Sequence, residues 1–132
     1  MFLSGLTDNQ KVSFLFLLHD FVRADNKLTK QEKQIVAVLE TELGCDLTSI
    51  PKDMDFAKAS NSFRSFRTRR VVLFELIGVG YVDTEFSIEE SEYVLRLADR
   101  FGVSEVEVQE MQSIVLSIIS AVQDAETYIT GD

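Results

Sequence analysis

One loop-to-helix segment occurs twice in this chain, as ADNKLTKQE at residues 24–32 and as VDTEFSIEE at residues 82–90. Each copy places Thr or Ser three residues before Glu. This is the spacing of a capping box, in which the two side chains satisfy the first free backbone N–H groups of a helix. The sequence therefore predicts two helix starts of the same design, with Thr29 and Ser87 as their first capping residues.

The residues around these segments repeat at the same spacing of 58 positions. The matching pairs include Phe16 with Phe74, Val36 with Val94, Leu39 with Leu97, and Gly44 with Gly102. Each copy has the pattern of a helix, a short loop and a second helix, and a lone helix pair cannot cover its own apolar face. We therefore predict that two repeats, at about residues 8–60 and 66–128, pack about a pseudo-twofold axis in one domain that covers residues 1–132.

Start and stop signals set the helix boundaries. Two more capping boxes begin at Thr7 and Ser104, and Gly44 and Gly102 can take the left-handed conformation that ends a helix. The predicted helices lie at about 8–24, 30–43, 52–60, 63–81, 88–101 and 105–128. No segment alternates with a period of two, so the predicted fold is all-α, a compact helical bundle.

Three local features refine this prediction. Pro51 suits the first turn of the short third helix. Gly78 and Gly80, late in the fourth helix, predict a close approach of another helix, and the alternative is a functional hinge. The last helix carries an apolar stripe that is predicted to face the core throughout: Val108, Met111, Val115, Ile118 and Val122.

Composition excludes several classes of site. The chain has 132 residues, 45% of them hydrophobic, which is enough for one globular core. One Cys and one His exclude an internal disulfide, a cysteine-rich zinc module and a site with several histidines. No nucleophile motif, phosphate loop or cofactor fingerprint is present, so we predict that the protein is not an enzyme.

Charge is unevenly distributed. The net charge is −9. Residues 83–132 contain 12 acids and 2 bases, whereas residues 1–82 contain 10 acids and 11 bases, so the negative charge is concentrated in the second segment. An acidic half repels phosphate backbones, so we expect no binding of nucleic acid. No signal sequence is evident, and no apolar run reaches the ~20 residues of a membrane-spanning helix. We therefore expect a cytoplasmic protein.

The repeated segment resembles the A-D-G-x-φ-[ST]-x-x-E signature of the tellurite-resistance TerB-like family, where φ is apolar. The resemblance covers about residues 8–46 and 66–104. It departs from the signature where Asn26 and Thr84 replace the family's glycine. It implies a compact helical bundle, an acidic surface with divalent-cation binding, and a role in stress response or in assembly at membranes. It implies no known reaction.

Four acids are the candidate metal ligands: Asp25, Glu32, Asp83 and Glu90. A twofold axis between the repeats would bring equivalent carboxylates together, and clustered carboxylates bind Ca²⁺ or Mg²⁺. The alternative is purely structural, with the glutamates as capping residues and the aspartates as turn residues. Neither loop is an EF-hand, because the glycine at position six and the glutamate at position twelve are missing.

Four arginines are the candidate contacts to a partner or an anion: Arg64, Arg67, Arg69 and Arg70. They fall near the start of the fourth helix, where the helix dipole disfavours cations. Such a placement indicates a phosphate or an acidic partner surface. The alternative is pairing within the chain, with the acidic second half.

Three functions are consistent with these features. The first, which we prefer, is a non-enzymatic interaction module of the TerB-like type with a protein partner, in the cytoplasm or peripherally at a membrane. The second is a divalent-cation-binding stress protein on the same scaffold, with Ca²⁺ or Mg²⁺ held by the clustered carboxylates. The third and weakest is an enzyme that uses paired carboxylates as acid and base. The sequence does not fix the oligomeric state.

Overall fold

The computed structural model describes residues 2–82 and 86–131, and within these ranges the chain is all-α, with no strand. Six α-helices follow one another in these two ranges: α1 Asp8–Val22, α2 Lys30–Leu43, α3 Phe56–Asn61, α4 Phe66–Gly80, α5 Ile88–Phe101 and α6 Glu105–Thr130. Two 3₁₀ turns, Leu3–Gly5 and Leu47–Ser49, precede α1 and α3. The predicted fold class is confirmed.

Three of the four predicted capping boxes are complete, at Thr7, Thr29 and Ser87. The fourth, at Ser104, is only half formed. The Ser104 hydroxyl accepts a hydrogen bond from the Glu107 N–H at 3.2 Å. The Glu107 carboxylate accepts instead from the Arg70 guanidinium at 2.5 Å, so it pairs with a positive charge rather than with the Ser104 N–H.

The predicted start of the third helix is wrong. Pro51 lies in the loop between Leu47–Ser49 and α3, and α3 begins only at Phe56. The reason is the Asp55 carboxylate, which accepts a hydrogen bond from the Lys58 N–H at 2.8 Å and caps the helix there. The helix ends predicted at Gly44 and Gly102 are confirmed, with φ of 71° and 72°.

One core joins the helices into a single domain. The largest fully buried side chains include Phe14 and Phe21 of α1 and Phe63 before α4. Every helix contributes to this cluster, through Leu17, Val36, Ala59, Leu76, Leu97 and Met111 in chain order. None of the described helices combines the length and the apolar character that crossing a membrane requires.

The spacing of 58 residues reappears in the helix bounds. Helices α1 and α4 begin at Asp8 and Phe66, and helices α2 and α5 begin at Lys30 and Ile88. All four helices also end at positions 58 residues apart. The register of the repeat is thus visible in the structure, and the twofold relation of its two copies stays a prediction.

The apolar stripe of α6 is only partly covered. Val108, Met111 and Val115 are buried, Ile118 is half-buried, and Val122 is exposed. The prediction that Val122 faces the core is therefore wrong. Helix α6 runs alongside α4, which ends at Gly80, and residues 120–131 are all exposed. We call residues 119–130 the α6 end.

Candidate functional site

The structure brings two of the four candidate metal ligands together. Glu32 and Glu90 occupy the third position of α2 and of α5, and each carboxylate accepts a hydrogen bond at 3.1 Å from the backbone N–H of its capping residue. They are only 4% and 3% exposed. The Glu32 carboxyl is close enough to Glu90 to raise its pKa.

This buried pair favours a shared proton. Burial raises the pKa of Glu90 to about 7, and the neighbouring Glu32 carboxylate adds to the rise, although hydrogen bonds from Ser87 oppose it. The Glu90 Oε2 atom is buried and has no hydrogen-bond donor among the described residues. A proton on one carboxyl supplies the missing donor, since two carboxylates side by side cannot both stay ionised without cost.

The two candidate aspartates do not extend this pair. Asp25 accepts a hydrogen bond from the Lys27 N–H at 3.0 Å, a local turn next to Asn26, whose φ is 58°. Asp83 lies outside the described residues. Within residues 2–82 and 86–131, no three His, Cys, Asp or Glu side chains form a group that could hold a metal ion.

The four candidate arginines separate into different environments. Arg70 pairs with Glu107 and its guanidinium lies 3.1 Å from the centre of the Phe66 ring, so the alternative of internal pairing holds for this residue. Arg69 donates instead to two backbone carbonyls. Arg64, which precedes α4, and Arg67 are both exposed.

Two of these arginines meet a third that the sequence analysis did not single out. Arg64, Arg69 and Arg100 line a cavity of about 380 Å³ together with Ser60, Asn61 and Phe101. We call this cavity the arginine pocket. Arg100 is in the last turn of α5, and it reaches the pocket because the ends of α3 and α5 lie side by side. The sequence pattern gives no signal that the ends of these two helices lie close together.

A second surface feature was also missed, an apolar groove between α4 and α6. It has a volume of about 380 Å³ and is lined by Phe2, Phe66, Arg67, Arg70, Val71, Phe74, Ile114 and Ile118. A smaller cavity of about 170 Å³ continues it along Gly78, Val115 and Ile119. We call the two together the α4–α6 groove. The sequence signal for this groove was the apolar stripe of α6. Helical spacing alone assigns the whole stripe to the core, although part of it is exposed.

Comparisons of the chain with protein-family models, with curated proteins and with solved structures gave no match. The TerB-like resemblance therefore stays a prediction from the repeated motif.

Proposed function

We propose that this protein is a non-enzymatic interaction module that assembles by placing the α6 end of one copy in the α4–α6 groove of a second copy. The observation that carries the proposal is that both halves of such a contact are exposed on the same chain. The groove is an unfilled apolar surface, and the α6 end is an apolar helix face without a cover among the described residues.

The groove has the character of a binding surface. Phe66 is 71% exposed, which is unusual for a phenylalanine that faces no partner. Phe2 and Phe74 contact each other edge to face, with ring centres 6.2 Å apart, and form a neighbouring wall of the same groove. Contiguous exposed aromatic and aliphatic side chains of this kind mark interaction sites on protein surfaces.

The α6 end has the matching shape. Val122, Ala125 and Ile129 follow one another at intervals of three and four residues, so they lie on one face of the helix. Ile129 is 81% exposed. An exposed helix of this pattern is the type of segment that lies in a hydrophobic groove through regularly spaced anchors.

Charge favours the same pairing. The α6 end contains two acids, Asp124 and Glu126, and no lysine or arginine. Arg67 and Arg70 line the larger cavity of the groove, and Glu75 lines the smaller one. Arg70 is paired with Glu107, so the exposed Arg67 is the cation that the acids of the α6 end would meet. Because each copy has one groove and one α6 end, a twofold axis makes both contacts at once and closes the assembly as a dimer.

Sedimentation velocity of purified variants tests the proposal. Phe66→Ser alters the groove and Ile129→Ser alters the α6 end, and neither change touches the buried core because both side chains are exposed. We expect the wild-type chain to dimerise and each variant to dissociate at least about tenfold more readily, since a buried aromatic or aliphatic anchor contributes about 1.5–3 kcal/mol.

The matched control is Ile88→Ser, which removes an equally exposed isoleucine, 74% exposed, at the start of α5. It should leave the dimer unchanged. A monomeric wild-type chain at about 0.1 mM, where even weak dimers form, contradicts the proposal. So does a dimer that Phe66→Ser and Ile129→Ser leave intact.

The cellular role that we propose rests on the sequence resemblance. A TerB-like module in the cytoplasm, with a part in stress response or in assembly at a membrane surface, needs a scaffold that presents contacts rather than a reaction centre. A dimer with two copies of each surface would serve that role by binding a further protein partner at two points.

Divalent-cation binding is the second candidate function. The buried Glu32 and Glu90 carboxyls favour it, because the Glu90 Oε2 atom has no donor among the described residues and a cation could replace the shared proton. Titration with millimolar Ca²⁺ or Mg²⁺ should then raise the melting temperature of the wild-type chain and not that of Glu90→Gln. An unmoved melting temperature excludes this candidate.

A further inference from the structure

We infer that the arginine pocket is a binding site for a phosphate group, either as free phosphate or as a phosphate on a lipid headgroup. The pocket lies between the ends of α3 and α5 and the loop before α4, and it is separate from the α4–α6 groove. The inference rests on how its arginines are held, on the donors that they leave free, and on the charge of the wall.

Two of the guanidinium groups are fixed in place by neutral acceptors. Arg69 donates through Nε to the Phe63 carbonyl at 2.8 Å and through Nη1 to the Phe101 carbonyl at 3.3 Å. Arg100 donates through Nη2 to the Asn61 side-chain oxygen at 3.1 Å and through Nε to the buried Ser60 hydroxyl. These bonds hold the guanidinium planes without neutralising their charge.

Each fixed arginine keeps donors for a ligand. Within the described residues, the Nη2 group of Arg69 and the Nη1 group of Arg100 take part in no hydrogen bond. Arg64 stands at the same wall, exposed and without an acidic partner among the described residues. Arginine forks that are already ordered bind phosphate oxygens with little further loss of side-chain entropy.

The charge of the pocket is opposite to that of the chain. The protein has a net charge of −9, yet the pocket wall contains three arginines and no aspartate or glutamate. Capping of the helix ends explains part of the arrangement, because cations are favoured at the carbonyl end of a helix. It explains the bond from Arg69 to the Phe101 carbonyl and the bond from Arg100 to the Ala57 carbonyl of α3, and it leaves the exposed Arg64 without a role.

A phosphate group fits this site better than a carboxylate does. Three guanidinium groups around one cavity offer more donors than the two oxygens of a carboxylate can use, whereas a phosphate monoester presents three charged or partly charged oxygens. The cavity of about 380 Å³ also leaves room for the group that the phosphate is attached to.

Nuclear magnetic resonance with inorganic phosphate tests the site directly. The Nε–H signals of Arg69 and Arg100 report on the pocket, because both protons are in hydrogen bonds. Phosphate is titrated at constant ionic strength, with chloride as the replaced anion, since exposed charges are screened by salt. We expect saturable shifts of both signals with phosphate and none with chloride.

Two variants and one control make the result specific. Arg100→Ala should weaken phosphate binding by about ten- to a hundredfold, the loss expected for a charge-assisted bond. Arg64→Ala should weaken it by about three- to tenfold, and this variant keeps the fold because the described residues make no hydrogen bond to that side chain. The control Lys33→Ala removes one exposed positive charge from α2 and should leave binding unchanged.

A second arm distinguishes the two sources of phosphate. Vesicles of phosphatidylcholine with and without phosphatidic acid are sedimented with the protein. Retention on phosphatidic acid that Arg64→Ala and Arg100→Ala reduce supports the lipid source, and phosphate binding without retention supports the free source. No saturable effect in either arm overturns the inference, as does binding that both arginine variants leave unchanged.

Discussion

The Glu90 carboxyl has two roles, as a cap of α5 and as a buried group, and these roles favour opposite charge states. The carboxyl caps α5 by accepting from the Ser87 N–H, and the same group is buried against Glu32. The cap favours the ionised form, and burial favours the neutral form. Burial prevails, so the pKa of Glu90 rises to about 7, and the charge state of the interior changes near neutral pH.

Stability should therefore decrease as pH rises. The unfolded chain releases this proton near pH 4.5 and the folded chain near pH 7, so the folded state binds more protons between these values. The free energy of unfolding contributed by this group is highest below about pH 4.5, falls by about 1–3 kcal/mol as pH rises to about 7, and is level above that.

Glu90→Gln should remove this dependence. The amide keeps the capping bond, because Gln serves at this position as well as Glu, and its NH₂ group donates to Glu32 without needing a proton. We expect a higher melting temperature than wild type at pH 8 and a smaller difference at pH 5. Glu89→Gln, an exposed neighbour with the same change in charge, should show neither effect. Parallel pH profiles for wild type and Glu90→Gln would contradict the shared proton.

At the scale of the helices, local signals predicted most of what is observed. The caps at Thr7, Thr29 and Ser87 and the glycine ends are bonds within one turn, so the sequence contains all of their partners. The start of α3 was mispredicted because Asp55 competes as a cap with the proline. The exposure of Val122 was mispredicted because periodicity tells which face of a helix is apolar and not whether anything covers it.

Gly78 and Gly80 of α4 also show that the sequence does not tell which positions another part of the chain approaches closely. A Cβ atom at Gly80 would overlap the Phe86 ring and lie 3.2 Å from the Phe21 ring, whereas one at Gly78 would meet nothing within 4 Å. The prediction of a close approach is confirmed at Gly80 and wrong at Gly78.

Alanine at these positions should have opposite effects. Gly80→Ala should lower the free energy of unfolding by about 1–3 kcal/mol, because buried rings must move. Gly78→Ala should raise it by about 0.5–1 kcal/mol, because alanine favours the helix. Urea denaturation of both variants measures the difference, and a stabilised Gly80→Ala protein would show that the ring contact does not constrain α4.

At the scale of the whole molecule, the candidate binding surfaces depend on which helices lie next to each other. The proximity of Glu32 and Glu90 was expected from the repeat, because a twofold relation between its copies would bring equivalent side chains together. The arginine pocket was not, since Arg100 and Arg64 are far apart in sequence and Arg64 lies between the two predicted repeats. The α4–α6 groove was not either, because it depends on how Phe66 and Phe74 of α4 lie beside Ile114 of α6, a contact between distant parts of the chain.

The two proposed surfaces predict independent behaviour. The arginine pocket and the α4–α6 groove share no lining residue, so Arg64→Ala should leave dimerisation unchanged and Phe66→Ser should leave phosphate binding unchanged. Changes at sites without shared contacts usually act additively. Coupled losses in both assays would mean that one of the variants acts by disturbing the fold.

Intermolecular paramagnetic relaxation tests the proposed assembly most directly. A spin label is placed at Tyr128→Cys, an exposed position in the α6 end, in a chain whose native cysteine is replaced by Cys45→Ser. The spin-labelled protein is mixed with ¹⁵N-enriched wild-type protein that carries no spin label. Any broadening of the ¹⁵N signals then arises between copies. We expect broadening of the amides that line the α4–α6 groove, around Phe66, Phe74 and Ile114. Broadening confined to other surfaces, or none at all, would contradict the proposed assembly.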